Sequence, residues 1–177
     1  MKFLASIAAS AFFAAASLAG DVELGGMKSK APAGWKEEEP TSSMRLTQFK
    51  LAKAEGDKDD AELVIFFFKG GSGNVEENLK RQLAKFKPLE GKDKVESKVD
   101  KIKVGKIEAP YQDITGNYLK KAKPFDPSDK GVEKTNFRQL YVILITEGGD
   151  FYATLVGPAK TVEKHKKDFD DWLKNFK

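Results

Sequence analysis

Hydrophobic and polar residues follow two different periods along the chain, which predicts a mixture of strands and helices. The continuous apolar run Leu63–Phe68 is bounded by polar residues and predicts an inner strand covered on both faces. Val75–Phe86 has apolar residues at helical spacing instead, with acids in its first turn and lysines in its last. Pro88 follows this helix closely. The pattern therefore predicts a sheet that lies between two layers.

The strongest hairpin signal lies in the last third of the chain. Phe137–Thr146 and Phe151–Val156 are apolar runs that Glu147–Asp150 connects, and two glycines in this connection tolerate the positive φ of a tight turn. Pro158 then suits the first turn of a closing helix, 158–176. One stripe of this helix is apolar and predicted to face the sheet: Val162, His165, Phe169, Trp172 and Phe176.

The remaining segments predict shorter elements. Residues 35–38 and 43–51 are typical of strands, and 94–119 predicts two or three strands in which lysine alternates with valine and isoleucine. Lys120–Asn136 has two prolines, a glycine and no apolar period, so it predicts a long surface loop. No internal repeat or linker divides the chain, and we expect a single domain over 20–177.

Residues 1–19 have the three parts of a cleavable signal peptide. Lys2 is a short positive region, Phe3–Ala16 is apolar, and Ser17–Ala19 supplies small residues for cleavage. A membrane anchor would need about 20 apolar residues with basic residues after them, whereas acids follow here. We therefore expect a secreted or periplasmic protein that begins near Gly20, without a transmembrane segment after cleavage.

Composition excludes some functions of the mature chain. Because it has no cysteine, it has no disulfide bond, and its stability must come from packing. The net charge is +4, and every basic residue except three is a lysine. Proteins that recognise bases and phosphates depend on the planar guanidinium group of arginine. Lysines interleaved with acidic residues are instead typical of a solvated face. We therefore expect no nucleic-acid partner.

The glycine-rich loop Gly70–Gly73 lies between a predicted strand and a helix, where phosphate-binding loops occur. A dinucleotide fingerprint would need glycine at the position of Glu76, and the lysine of a Walker loop is absent. A Ser72 nucleophile would need His165, the one histidine, which lies on the apolar stripe of the last helix. We expect a flexible loop, no cofactor and no catalytic residue.

Metal sites are not predicted either. With one histidine and no cysteine, the chain lacks the usual ligands of zinc. Asp126–Gly131 begins like a calcium loop, but Lys130 occupies a ligand position and Phe137 stands where the closing glutamate belongs. Asp57–Asp60 also lacks that glutamate. A weak, exposed calcium site at either acidic loop stays open.

The three arginines are the best candidates for a binding site, because a chain rich in lysine uses arginine where the fork geometry matters. Arg45 and Arg138 fall on predicted strands, and Arg81 lies on the first helix near Asn78. Either each arginine pairs structurally with a carboxylate or carbonyl, or two of them border a pocket for an anionic group. The candidate binding residues are Arg45, Asn78, Arg81 and Arg138.

Three short motifs resemble a known family: Ala31–Trp35, Val75–Leu79, and Thr154–Ala159 followed by Trp172–Phe176. They are similar to the opening, the first long helix and the closing elements of the Mog/PsbP-like domains. That family includes the extrinsic PsbP subunit of photosystem II and exported bacterial domains without assigned function. The chain also resembles secreted bacterial proteins of the same layout.

The resemblance implies an α+β fold, namely an α/β/α sandwich in which helices flank a mainly antiparallel sheet. The inner strands should be Leu63–Phe68 and Leu140–Ile145. Its motifs are packing motifs and carry no chemistry. The residues expected in the interior are Phe67, Leu79, Tyr141, Leu155, Phe169 and Trp172.

By exclusion, we expect a monomeric, non-catalytic binding or accessory domain of the cell envelope or exterior. Its partner would be an envelope protein or an anionic ligand. The alternative is a hydrolase that uses carboxylates alone, since glycoside cleavage needs only two of them about 5–9.5 Å apart. Such an enzyme needs a deep pocket where carboxyl groups of perturbed pKa converge, whereas a binding domain needs only a surface site.

Overall fold

The computed structural model describes residues 20–71, 73–122, 126 and 128–177. The predicted signal peptide, residues 1–19, lies outside the described residues. Strands make up 50% of the described chain and helices 16%. Neither helix of this described part combines the length and the apolar character that crossing a bilayer requires.

Ten strands and two helices form the described chain. In order they are β1 (Asp21–Leu24), β2 (Met27–Lys30), β3 (Trp35–Glu38), β4 (Arg45–Leu51), β5 (Ala61–Phe68), α1 (Val75–Leu83), β6 (Phe86–Lys87), β7 (Glu96–Val104), β8 (Ile107–Lys120), β9 (Val132–Thr146), β10 (Gly149–Pro158) and α2 (Ala159–Lys174).

Eight of the strands form one antiparallel sheet. Its order is β3-β4-β5-β10-β9-β8-β6, and β7 pairs with the first part of β8. β10 lies between β5 and β9 and pairs with β9 along its whole length, from Gly149–Thr146 to Pro158–Phe137. β1 and β2 form a separate hairpin. The sheet is therefore built mainly from sequence neighbours, because short turns join most of its strands.

One face of the sheet carries the main hydrophobic core. The apolar stripe of α2 packs there against alternate residues of β4, β5, β9 and β10. The Trp172 ring lies 5.4 Å from that of Trp35 and 5.0 Å from that of Phe176. The β1–β2 hairpin closes the same core, since Ser29 Oγ donates a 3.0 Å hydrogen bond to the Trp172 carbonyl.

The opposite face is covered less completely and is more polar. The nine-residue helix α1 packs Val75 and Leu79 against a small cluster centred on Tyr141. Two buried glutamines, Gln112 and Gln139, lie on the same face, and the side-chain oxygen of each has no hydrogen-bond partner within the described residues. This face therefore combines apolar and polar groups in its interior.

The expected α/β/α sandwich is wrong. The described chain is mostly sheet, and one short helix on the second face does not amount to a helical layer. Two segments explain the difference. The β1–β2 hairpin was not predicted as strand, and α1 ends at Leu83, because Phe86 and Lys87 pair with β8 instead of continuing the helix.

Several local predictions are confirmed. The β9–β10 hairpin, the strand at 35–38, the inner strands β5 and β9 and the closing helix lie where expected. The long loop 120–136 is wrong in part, because β8 reaches Lys120 and β9 begins at Val132. Tyr141, Leu155, Phe169 and Trp172 are buried as expected, whereas Phe67 and Leu79 are only partly buried.

Candidate functional site: a charged groove on the second face

The face of the sheet that α1 covers is called the second face, or α1 face. A groove of about 420 Å³ lies on it, beside α1. Its floor is formed by Glu62 of β5, Val156 of β10 and Phe137 of β9. The β4–β5 turn forms one wall, and the end of β8 together with the start of β9 forms the other. The groove is open because α1 does not extend over this part of the sheet.

Aromatic rings line the base of the groove. Tyr118 and Phe137 stack with ring centroids 6.1 Å apart and an interplanar angle of 7°, and Phe86 packs on Tyr118 at 5.1 Å. Burial, and then the charge of Glu62, raises the pKa of Tyr118. Its hydroxyl therefore stays protonated, and it makes no hydrogen bond to any described residue.

The local backbone explains the position of Tyr118. The β8–β9 register shifts between Gly116 and Tyr118, which is a β-bulge that redirects the strand. A Cβ on Gly116 would lie 2.6 Å from the Lys87 carbonyl, so only glycine permits β6 to approach β8 this closely. β6 in turn supplies Phe86, which supports the Tyr118 ring.

The opposite wall is held by hydrogen bonds to the β4–β5 turn. Asp57 accepts from the Thr161 backbone N–H at 3.0 Å and from its hydroxyl at 2.6 Å, which ties the turn to α2. Asp60 accepts from the Lys53 N–H at 2.9 Å. The turn that presents Lys58 and Asp59 is therefore anchored at both ends.

Most charges in the groove are already neutralised within the protein. Lys134 Nζ lies 2.9 Å from Asp59, Lys50 Nζ 3.3 Å from Asp60, and Arg45 Nη1 2.7 Å from Glu62. The hydrogen bond from Lys134 lowers the pKa of Asp59, and that from the Lys53 backbone lowers the pKa of Asp60. Both carboxyl groups are therefore ionised at neutral pH.

Two lysines of the groove have no such partner. Within the described residues, the side chains of Lys58 and Lys120 make no ion pair and no hydrogen bond. They lie on opposite walls, and Lys120 contributes to the field that lowers the pKa of Asp59. Together with the Tyr118 hydroxyl, they give the groove three unpartnered hydrogen-bond donors.

The structure does not bring the four predicted site residues together. Arg45 borders the groove through Glu62, also donates to Gln48 at 2.9 Å, and lies over the Phe66 ring at 5.8 Å. On α1, Arg81 Nη2 donates to Asn78 Oδ1 at 2.9 Å. These three residues share the second face.

Arg138 lies on the other face of the sheet. It donates to Asp113 through two nitrogens, at 2.8 and 2.7 Å, and also to Glu163 of α2. The hydrogen bonds that Arg138 donates to Asp113 raise the pKa of Arg138. Arg45 and Arg138 thus make the structural pairs that the sequence had left open, and Arg138 does not belong to the groove.

Sequence reasoning missed Lys58, Lys120 and Tyr118. The groove walls consist of polar segments that have no apolar period, and the sequence predicted only an acidic loop at 57–60 and a surface loop at 120–136. One signal was available: Lys120 and Lys134 flank a connection with two prolines and a glycine, as the two arms of a long hairpin would.

The structure also bears on the excluded chemistry. His165 is buried, with Nε2 2.8 Å from the Ala52 carbonyl, so its ring has a structural role. Ser72 lies outside the described residues. Over the described ranges, no group of three histidine, aspartate or glutamate side chains is placed to hold a metal ion. The Asp126 carboxylate instead caps its own loop by accepting from Ser128.

No protein-family model matches the chain, and no curated protein matches it. The relationship to the Mog/PsbP-like family therefore stays a prediction.

Proposed function

We propose that this chain is an exported, non-catalytic binding domain whose groove holds an anionic group attached to an aromatic or apolar ring. The ligand acts in the cell envelope or exterior. The proposal depends on one observation: ion pairs neutralise three of the four groove carboxylates, all except Glu38, and the donors of Lys58, Lys120 and Tyr118 have no partner among the described residues.

Unpartnered donors define the polar half of the ligand. The two ammonium groups only donate hydrogen bonds and repel another cation, whereas a phosphate, sulfate or carboxylate accepts hydrogen bonds from both lysines and from the phenol. The stacked rings of Tyr118 and Phe137 define the other half, because a flat apolar ring packs on them. A small anion with a ring satisfies both halves.

Two of the four groove carboxylates argue against the rival hydrolase. A glycosidase needs a carboxylic acid whose pKa is raised, so that it can protonate the leaving group. Asp59 and Asp60 have lowered pKa values, which is the opposite direction. The groove therefore lacks, in these two residues, the proton donor that the rival mechanism requires.

Export is supported by the position of the first strand. β1 begins at Asp21, directly after the predicted cleavage site, so cleavage there keeps every strand and helix of the described residues. The net charge of +4 comes mainly from lysines on solvated faces. Such a surface suits a protein that stays dissolved after export.

Calorimetric titration of the mature protein with phenyl phosphate tests the proposal. We expect saturable binding that weakens as salt is added, because exposed charges supply part of the affinity. The double variant Lys58→Gln/Lys120→Gln should bind about tenfold more weakly, at about 0.7 kcal/mol for each exposed ionic contact.

The matched control removes the same charge elsewhere. Lys103 and Lys106 lie at the β7–β8 turn, the end of β8 farthest from the groove, so Lys103→Gln/Lys106→Gln should bind like the wild type. Equal weakening in both double variants would show that only net charge matters. Release of nitrophenol from nitrophenyl glycosides above the buffer rate would favour the hydrolase instead.

A further inference from the structure

Lys85 differs from the other lysines of the second face in its surroundings. It lies between α1 and β6, is partly buried, and its carbonyl accepts a 2.8 Å hydrogen bond from Leu119 of β8. Its Nζ donates to Gln82 Oε1 at 2.7 Å. Within the described residues, no carboxylate lies within ion-pair distance of this amine.

The groups around the Lys85 amine are neutral or positive. Gln82 Oε1 also accepts a hydrogen bond from Gln139 Nε2 at 3.2 Å. The Lys85 amine therefore shares this acceptor with Gln139. Gln82 also hydrogen-bonds to Tyr141, whose pKa burial raises, so the phenol is neutral. Arg81, on the same helix, adds a second positive charge. The ammonium form of Lys85 is thus poorly stabilised.

We propose that Lys85 is a covalent attachment site at which small aldehydes form an imine. Its neutral nitrogen adds to the carbonyl carbon, and the carbonyl electron pair moves to oxygen and takes up a proton. Loss of that oxygen as water then leaves a C=N bond. Atoms balance as amine plus aldehyde giving imine plus water.

Two known means of activating a lysine coincide at this position: removal of the amine from water and a neighbouring cation. Burial, and then the charge of Arg81, lowers the pKa of Lys85 to about 8. About half of this amine is neutral at pH 8. Lys80, on the same helix, is exposed and paired with Glu76, which raises its pKa.

Reductive labelling of the mature protein with acetaldehyde and cyanoborohydride, followed by peptide mapping, tests the site. At pH 8 we expect Lys85 to be labelled at least about tenfold faster than Lys80. The labelling rate of Lys85 should rise with a midpoint near pH 8, whereas that of Lys80 should still be rising at pH 10. The amino terminus also reacts near this pH, and its peptide is separate.

Gln82→Glu is the diagnostic variant, because it places a carboxylate at the acceptor of the Lys85 amine. Labelling of Lys85 at pH 8 should fall about tenfold, with the circular dichroism spectrum unchanged. If this variant loses its fold, Arg81→Gln replaces it and should slow labelling severalfold. Equal labelling of Lys85 and Lys80 in the wild type would overturn the proposal, as would an unchanged rate in a folded variant.

Discussion

The two faces of the sheet are built from the same strands but differ in how many polar groups they bury. The α2 face buries a continuous apolar core in which the polar groups are few, and Arg138 at its margin is paired with Asp113 and Glu163. The α1 face buries glutamines, holds Lys85 without a counter-ion among the described residues, and has an open groove. The apolar core of the α2 face provides most of the stability of the fold. The polar groups of the α1 face contribute less to stability but can bind a ligand.

This difference arises from strand alternation. Along β9, Leu140 and Val142 point to the α2 core, while Gln139 and Tyr141 point to α1. Because successive residues of one strand serve both faces, a shift of register by one residue would exchange the two environments. The tight β9–β10 turn and the long pairing of these strands prevent that shift.

The largest expected effect is on the α2 face. Trp172→Ala should lower the free energy of unfolding by about 3–5 kcal/mol, because it leaves a cavity against Trp35 and Phe176. Leu79→Ala on α1 should cost less than half as much, since Leu79 is only partly buried. Urea denaturation measures both, and equal losses would contradict the contrast between the faces.

A smaller loss is expected where the α2 face carries charge. Asp113→Asn removes the carboxylate that receives both hydrogen bonds from Arg138, and Glu163 remains as its ionic partner. The unfolding free energy should fall by about 1–2 kcal/mol, because both side chains are largely shielded from water. A change below about 0.3 kcal/mol would mean that the pair is screened like a surface pair.

Gln139→Leu probes the polar interior of the α1 face. Its amide oxygen is buried without a partner among the described residues, so replacement by leucine removes a desolvation cost together with one hydrogen bond. We expect the stability to change by less than about 1 kcal/mol in thermal or urea unfolding. A loss above about 2 kcal/mol would show that this amide stabilises the fold.

The smallest effect concerns the wall of the groove and depends on pH. Since Lys134 lowers the pKa of Asp59 in the folded state, the pair contributes stability above the unfolded pKa of about 3.9. This contribution is lost as the pH falls through the folded pKa. Asp59→Asn should therefore cost a few tenths of a kcal/mol at pH 7, because the pair is exposed.

The difference between Asp59→Asn and the wild type should disappear near pH 2, where both side chains are neutral. Urea unfolding at the two pH values measures it. A difference that persists at pH 2 would assign the effect to packing and not to charge.

The sequence predicted the α2 face much better than the α1 face. Strong apolar periods or turn residues determine the closing helix, the inner strands and the β9–β10 hairpin. Such signals can be recognised within a short stretch of sequence. The groove depends instead on contacts between distant polar segments, such as Lys134 with Asp59. No local pattern records such contacts.

For the same reason, the positions of the arginines predicted the binding site only in part. They identified residues with structural pairs, Arg45 and Arg138, because a fork is useful in any partly buried ion pair. The unpartnered donors belong to lysine and tyrosine. They are distinguished only by what lies around them, which depends on the β-bulge before Tyr118 and on the short α1.

The most direct test of the central claim is a map of where phenyl phosphate binds. Two-dimensional ¹H–¹⁵N NMR of the mature protein, titrated with this anion, locates the contact residue by residue. We predict shifts at 58–62, 117–120 and 134–137, and none in the lysine-rich cleft between β2 and the end of α2. Shifts centred on that second cleft, or spread evenly over exposed lysines, would contradict the assignment of the groove as the binding site.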